Sequence, residues 1–226
     1  MEHDALVDVE PCSDNCARIL ARRERIALTV SPGNPYFSVS RLTTLLRWAV
    51  REMKEVDVVV SDMQMTVASY LGQGRPPGEA RKRARADIRQ MTSRVRRARQ
   101  AAGCPDVHVS EFGDWIDHPE YRRAHAYVRQ AIEHPDFRPL CREGTREALK
   151  ARMPAGWEPT EEQVDAGLLH SERALPFTIN AAGILGVPEA VVAYSRPAAQ
   201  AKYFFTEGSA FHAFPGQAYI GLRVRE

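Results

Sequence analysis

The chain has 226 residues, with 31 lysines and arginines against 29 aspartates and glutamates, which gives a formal net charge of +2. The length suits one sizeable domain, and no apolar run reaches the ~20 residues that would span a bilayer. The four cysteines are too few for a disulfide framework, and with the seven histidines they do not form a zinc-binding set. The N-terminus also lacks the pattern of a secretory signal. We therefore expect a cytoplasmic protein, with residues 1–19 as an N-terminal extension and residues 20–226 as one domain.

Strands and helices alternate at the start of this domain. Residues 25–31 (RIALTVS) are apolar and β-branched, which predicts a short buried strand that ends at a proline–glycine turn. A helix is predicted to begin near Ser38 or Ser40, either of which could be its N-cap. A second strand is predicted at residues 56–61, with Asp62 at its exit. A strand, a helix and a strand in this order predict a βαβ unit and a parallel sheet.

A long basic helix is predicted at residues 79–102. Residues 81–99 contain nine basic residues and one acid, Asp87. Such a surface suits a phosphate backbone, because each neutralised phosphate releases counterions. A solvated surface helix is the alternative, and no helix-turn-helix or zinc-finger spacing indicates DNA binding. The predicted buried stripe of this helix consists of Ala84, Ile88, Met91, Val95 and Ala98.

The second half of the chain continues the alternation. Together the elements predict an α/β fold, with a Rossmann-like parallel sheet flanked by helices on both faces. The predicted elements are a strand at 107–112, helices at 119–134 and 139–152, a loop at 154–159, a helix from Thr160 to about Pro176, a further segment at 178–185, and strands at 191–195 and 219–224.

Ser31 is the first candidate catalytic residue, because it lies where a parallel strand ends and a glycine-containing turn begins. Ligands of open α/β folds bind at the carboxyl ends of the strands. A serine there has its hydroxyl at the pocket mouth, where backbone amides and the next helix N-terminus favour developing negative charge. The alternative is a serine that only shapes the turn.

Tyr194 and His170 are two further candidates. Tyr194 lies at the end of a predicted strand, so it could share the sheet edge with Ser31 and relay a proton or orient a substrate. The alternative is a boundary tyrosine with its ring in the core and its hydroxyl in water. His170 lies on a helix, where a packing or surface histidine is the alternative. The side chains near strand ends that we expect to line a substrate pocket are Ala27, Thr29, Phe177 and Val192.

In combination these segments resemble one family, the tRNA-dependent cyclodipeptide synthases. The resemblance begins at residues 31–38 (SPGNPYFS), with Ser31 in the place of the nucleophile and Asn34 three residues later. It continues through residues 41–48 (RLTTLLRW), the GEARKRAR segment at 78–85 and the basic helix. It ends with a Leu-Pro-Phe turn at 175–177 and the Tyr194 strand, so it covers about residues 20–225.

This resemblance implies a fold like the catalytic domain of a class I aminoacyl-tRNA synthetase, without its HIGH and KMSKS segments. Ser31 would take the aminoacyl group from one charged tRNA, a second aminoacyl-tRNA would add its amino acid, and the dipeptidyl ester would cyclise to a diketopiperazine. Asn34 would hold the loop or the aminoacyl backbone, Tyr194 would relay a proton and His170 would be a base.

The resemblance also implies the partners. They are aminoacyl-tRNAs, with no DNA and no membrane, and the protein is expected to be a monomer. A tRNA ester is already activated, so no metal, ATP or other cofactor is expected. The residues expected to contact tRNA are Arg81, Lys82, Arg85, Arg89, Arg94, Arg96, Arg97 and Arg99.

The sequence departs from the family at the site for the substrate ammonium group. The family places a tyrosine and a glutamate there, four residues apart, and His170 and Ala174 occupy the matching positions. Glu172 is turned about 160° away on a helix. Ser195 follows Tyr194 where histidine or proline is usual. We assign Gly33, Ala174 and Ser195 to substrate binding with the pocket residues above.

Two alternatives stay open, the first of them because a carboxylate is missing. In one, the acyl-enzyme forms but passes its amino acid to another acceptor, such as a small amine or water. In the other, the chain is a non-catalytic tRNA-binding protein.

Overall fold

The computed structural model describes residues 6–225. Within them, six strands form one sheet in the order β1-β6-β5-β2-β3-β4. β1 runs antiparallel to β6, and every other neighbouring pair is parallel. The predicted α/β fold is thus confirmed, with one antiparallel edge strand added. The strands are β1 (Val7–Pro11), β2 (Arg25–Val30), β3 (Glu55–Val60), β4 (His108–Glu111), β5 (Ala190–Tyr194) and β6 (Gln217–Val224).

Eight α-helices flank the sheet in this part of the chain, with two short 3₁₀ segments at Phe112–Trp115 and Tyr203–Phe205. The helices are α1 (Asp14–Ala21), α2 (Val39–Glu52), α3 (Met63–Gly72), α4 (Pro77–Ala102), α5 (Pro119–Glu133), α6 (Arg138–Lys150), α7 (Glu161–Ile184) and α8 (Ala199–Lys202).

Both faces of the central strands are covered. In β2, Ile26, Ala27, Leu28 and Val30 are all buried, with exposures of 0%, 0%, 3% and 1%. Successive side chains of a strand point to opposite faces, so burial of both sets requires a layer on each side of the sheet. This agrees with the predicted helices on both faces.

α2 and α4 begin and pack as their sequences predict. Ser38 is the N-cap of α2, since its hydroxyl accepts a hydrogen bond from the backbone N–H of Arg41 at 3.2 Å. α4 ends at Gly103, whose φ of 72° is the left-handed conformation that glycine adopts at low cost. The predicted stripe of five apolar residues in α4 is buried, and it packs towards α2 and α3.

The predicted end of the helix that starts after Thr160 is wrong. α7 continues through Pro176 to Ile184, so residues 175–177 are helical rather than a turn. Proline removes one backbone hydrogen bond, but Leu175 and Phe177 are buried in the core, and this packing outweighs the loss. The helix departs from helical geometry at Asn180, where φ is −146°.

Four of the helices and strands were not predicted from the sequence: α3, β1, α1 and the short α8. α3 lies between α4 and α7, and its residues are largely apolar on all sides, so it lacks the period of an amphipathic helix. β1 lies within residues 1–19, α1 begins there and ends at Ala21, and both pack next to β6. The domain boundary at residue 20 stays a prediction, although this segment supplies the edge strand.

No helix between residues 6 and 225 has the length and apolarity needed to cross a bilayer. Within the same residues, the four cysteines are free, and His, Cys, Asp and Glu do not gather into a group of three that could hold a metal ion.

Candidate active site

The site lies beside β2, where the order in which strands are added to the sheet changes from one side of β2 to the other. From β2 the chain builds β3 and β4 on one side, then returns to place β5 and β6 on the other side. Such a topological switch point opens a crevice at the carboxyl ends of the strands. Ser31 directly follows β2, and Tyr194 is the last residue of β5.

Ser31 is held at the start of a tight turn. The backbone N–H of Asn34 donates to the carbonyl oxygen of Ser31 at 3.2 Å, with Pro32 and Gly33 between them. Gly33 has a φ of +74°, which is the conformation that glycine supplies at the third position of a type II turn. The next helix, α2, begins at Val39, eight residues after Ser31.

The structure brings Ser31, Asn34 and Tyr194 together. The Ser31 Oγ lies 3.1 Å from the Tyr194 hydroxyl oxygen, and Asn34 Nδ2 donates to that same oxygen at 3.3 Å. Asn34 is itself fixed, because its Oδ1 accepts from the backbone N–H of Tyr36 at 2.9 Å. Asn34 occupies one lone pair of the Tyr194 hydroxyl oxygen, so the Tyr194 hydroxyl can still donate a hydrogen bond to Ser31 or accept one from it. This arrangement can pass a proton between two hydroxyl groups.

A cavity of about 180 Å³ opens beside Ser31. The surface of its wall is mostly apolar, with several neutral hydroxyl groups and the amide of Gln200, and the wall includes Thr29 and Ala174 from the predicted substrate-binding set. The polar residues of the wall, besides Ser31 and Tyr194, are Thr29, Ser61, Ser69, Thr145, Arg152, His170, Ser171, Thr178, Gln200 and Tyr219.

His170 forms part of this wall as a neutral ring. Its Nδ1 lies 3.1 Å from the Met65 carbonyl oxygen and 3.1 Å from Ser69 Oγ. A carbonyl oxygen only accepts, so Nδ1 carries the proton and Nε2 of the neutral ring is an acceptor. Burial, with a smaller contribution from Arg152, lowers the pKa of His170 to about 4, despite the opposing effects of Met65 and Asp62. A base this weak takes a proton poorly at neutral pH, so the geometry favours a hydrogen-bonding role for His170 over that of a base.

Three of the predicted pocket residues do not reach the cavity. Ala27 and Val192 are register partners that lie deeper in the sheet than Thr29, and both are fully buried. Phe177 is also fully buried, and its ring packs at 5.5 Å from that of Phe112. The apolar patterns of the strands and of α7 predicted burial correctly, but they did not distinguish the core from the cavity wall.

Gly33 and Ser195 also lie outside the cavity wall. Gly33 is exposed at the turn after Ser31. Ser195 is buried, lines a separate small cleft with Phe37 and Leu222, and accepts a hydrogen bond from Arg223 Nε through its backbone carbonyl at 3.1 Å.

Glu172 does not replace the missing carboxylate. Its Oε1 lies 3.1 Å from His125 Nε2 and 3.7 Å from Arg129 Nε, and Glu172 does not line the cavity. Its predicted rotation away from Ala174 therefore agrees with the structure.

Two residues that the sequence did not single out as functional lie next to the Ser31 turn. The Tyr70 hydroxyl donates to the Asp87 carboxylate, and burial followed by this hydrogen bond raises the pKa of Tyr70 to about 12. The same carboxylate oxygen is 2.8 Å from the place where a Cβ on Gly33 would lie. Asp87, the one acid of the basic segment, thus faces the turn, and its isolation among arginines was the signal that could have identified it.

The basic face of α4 is not neutralised by acids from the described part of the chain. None of its eight predicted tRNA-contacting residues forms an ion pair with an acid from residues 6–225. Arg83 differs, because its Nε pairs with Glu79 at 2.8 Å. Six of the eight are exposed, while Arg94 and Arg99 are half-buried. A cluster of basic residues without acidic partners on one helix is the electrostatic footprint expected of a polyanion site.

The chain matches one family of known proteins over almost its whole length. The profile of the family described as cyclodipeptide synthase matches residues 7–224. The cyclo(L-leucyl-L-leucyl) synthase of Bacillus subtilis is 30% identical over 198 residues, covering 83% of this chain and 77% of that protein. The cyclo(L-leucyl-L-phenylalanyl) synthase of Streptomyces noursei is 26% identical over 220 residues, covering 96% and 92%.

A solved structure with the same fold is that of a Mycobacterium tuberculosis protein, described as showing that cyclodipeptide synthetases are related to type I tRNA synthetases. It superposes with a TM-score of 0.85 at 24% identity, covering 97% of this chain and 94% of that one. The match of the family profile over nearly the whole chain shows that this protein belongs to the cyclodipeptide synthase family.

Proposed function

We propose that the protein makes cyclic dipeptides from aminoacyl-tRNAs through an aminoacyl ester on Ser31. The observation that carries this proposal is the contact of the Ser31 hydroxyl with Tyr194 and, through it, with Asn34, at the mouth of a cavity. A hydroxyl becomes a useful nucleophile when a neighbouring group can take its proton in the transition state.

The chemistry divides into three acyl transfers. The Ser31 oxygen attacks the ester carbonyl of the first aminoacyl-tRNA, and its proton passes through Tyr194 to the departing 3′ oxygen of the tRNA. The amine of the seryl ester then attacks the second aminoacyl-tRNA and releases that tRNA. Finally the new terminal amine attacks the seryl ester, which closes the ring and returns the proton to Ser31.

The tRNA substrates bind along α4 in this proposal. The exposed, unpaired arginines of α4 lie on a helix whose Asp87 contacts the Ser31 turn, so bound phosphates and the reacting ester would share one side of the molecule. Phosphate contacts of this kind position a nucleic acid without reading its sequence.

The test is product analysis after mixing the protein with a fully charged total tRNA pool. We expect a diketopiperazine in the filtrate, identified by mass spectrometry, and none with Ser31→Ala. A second candidate, transfer from Ser31 to another acceptor, is favoured by the missing carboxylate at Ala174. It would give the seryl ester without any cyclic product, whereas binding of tRNA without either species would reject both candidates.

A further inference from the structure

The cavity beside Ser31 carries no negatively charged side chain. Among the described residues that form its wall, none is aspartate or glutamate, and Arg152 is a cation. The other titratable groups that face it are the ring of His170 and the hydroxyls of Tyr194 and Tyr219. A ligand group in this cavity therefore meets mainly neutral side chains, and the one charged residue of the wall, Arg152, is exposed to solvent.

Three acids near the site are already paired with other side chains. Asp62, which is 4% exposed and acts electrostatically on His170 of the wall, holds Arg173 at 2.6 Å in a buried ion pair. Glu172 pairs with His125, and Asp87 accepts a hydrogen bond from the Tyr70 hydroxyl. None of the three lines the cavity.

The wall does offer neutral hydrogen-bonding groups without partners. Gln200 Oε1 and Thr145 Oγ1 are buried and have no hydrogen-bond partner among the described residues. Gln200 is 7% exposed and Thr145 is 4% exposed. The Nε2 of His170 is a further acceptor, as its tautomer requires. Such groups can receive an N–H or exchange hydrogen bonds with a hydroxyl, but they do not offset a buried positive charge.

We propose that the acyl group of the tRNA ester binds in this cavity with its α-substituent uncharged. The physiological form is an aminoacyl ester with a neutral amine, and a 2-hydroxyacyl ester of the same size fits equally. This inference rests on the proposed acylation of Ser31. Burying an ammonium group without a carboxylate partner is unfavourable, while an α-amine needs little free energy to lose its proton near neutral pH, since its ordinary pKa is about 7.7–8.0.

The neutral amine is also the form that the next bond requires. Its lone pair attacks the carbonyl carbon of the second ester, the new C–N bond forms, and the C–O bond to the tRNA breaks. The proton lost by the amine goes to the departing 3′ oxygen. An ammonium held by a carboxylate would first have to give up a proton, whereas this cavity selects the reactive form at binding.

The test compares two esters that differ only in this group. Total tRNA charged with amino acids is used directly and after nitrous acid deamination, which converts the α-amine to a hydroxyl. Single-turnover acylation of the full-length protein is followed by intact-protein mass spectrometry. We expect rates for the amino and hydroxy forms of the same acyl group within about threefold, because neutral hydrogen bonds differ little in strength.

Two results would overturn the inference. In the first, the hydroxyacyl ester acylates Ser31 about 10- to 100-fold more slowly than the aminoacyl ester. This would mean that an ammonium group is held by a charged partner, and the proposed function would still stand. No acylation by either ester would overturn the proposed function and this inference with it.

Ala174 provides a matched pair of variants for the same comparison. Ala174→Glu should create a preference of about tenfold or more for the aminoacyl ester, because a carboxylate then faces the amine. Ala174→Gln has the same shape without the charge and should leave the two esters nearly equal. Equal preferences in the two variants would contradict the proposal.

Discussion

Removing the Tyr194 hydroxyl is the most informative change at the site. In Tyr194→Phe, the Ser31 Oγ loses its partner at 3.1 Å and Asn34 Nδ2 loses its acceptor at 3.3 Å. The ring itself stays, so its packing against Phe37, at 5.7 Å between centroids, is retained. The variant therefore separates the chemistry of the hydroxyl from the packing of the tyrosine.

The size of the effect depends on what the hydroxyl does. Two hydrogen bonds at about 0.5–1.5 kcal/mol each would change the rate by about 5- to 150-fold through positioning alone. A group that moves a proton in the transition state contributes about 10²–10⁴-fold. Because Tyr194 can do both, we predict that acylation of Ser31 slows by at least about 100-fold.

The assay is the single-turnover rate of Ser31 acylation with charged tRNA, measured beside the free energy of unfolding. Tyr127→Phe is the control, because the Tyr127 hydroxyl accepts a hydrogen bond from the backbone N–H of His212 at 3.0 Å and Tyr127 does not line the cavity. A loss of less than about fivefold in Tyr194→Phe, or an equal loss in the control, would refute the role of Tyr194.

Three further predictions follow from the turn, the basic helix and the cavity wall. Gly33→Ala should lower the free energy of unfolding by about 1–2 kcal/mol and slow acylation, because the φ of +74° disfavours a side chain and the new Cβ meets the Asp87 carboxylate at 2.8 Å. An unchanged free energy of unfolding in denaturant titrations would contradict this. Arg89→Ala should weaken tRNA binding and reduce the slope of log K against log salt by about 1. Arg83→Ala should change the affinity and the slope less, since Arg83 is paired with Glu79. Equal effects of the two variants in filter-binding titrations would count against a tRNA site on α4. As pH falls from about 6.5 to about 4, the wild-type protein should lose up to about 3 kcal/mol of stability relative to His170→Gln. The reason is that His170 takes up a proton in the unfolded chain but stays neutral in the folded protein, where its pKa is lowered to about 4. Parallel pH profiles of denaturant unfolding for the two proteins would show that His170 is not held neutral.

The arrangement of the main elements could be predicted because their local signals agree with their surroundings. The strand before Ser31 is apolar on both faces and is buried on both faces, as a central parallel strand must be. The N-cap Ser38 and the five-residue stripe of α4 likewise need only local spacing. Where neighbours in sequence determine the structure, the prediction was correct.

The rest depends on neighbours in space. α3 is buried on nearly every side between two helices, so its sequence shows no helical period. Pro176 indicated a helix end, but packing of Leu175 and Phe177 in the core keeps α7 continuous. The cavity wall is similar, because Thr29 reaches it while Ala27, two residues earlier in the same strand, lies in the core.

The contacts of the acids could not be read from sequence for the same reason. Asp87 stands in a run of arginines, and only the tertiary packing of α4 brings its carboxylate to Tyr70 and the Ser31 turn. The pairing of Asp62 with Arg173 joins residues 111 positions apart.

The most direct test of the account is the intact mass of the protein after mixing with charged total tRNA, beside Ser31→Ala. We expect a mass increase of one amino-acid residue on the wild-type protein, located at Ser31 by peptide mapping and absent from the variant. An unmodified wild-type protein with no cyclic dipeptide in the filtrate, or an adduct that persists in Ser31→Ala, would contradict it.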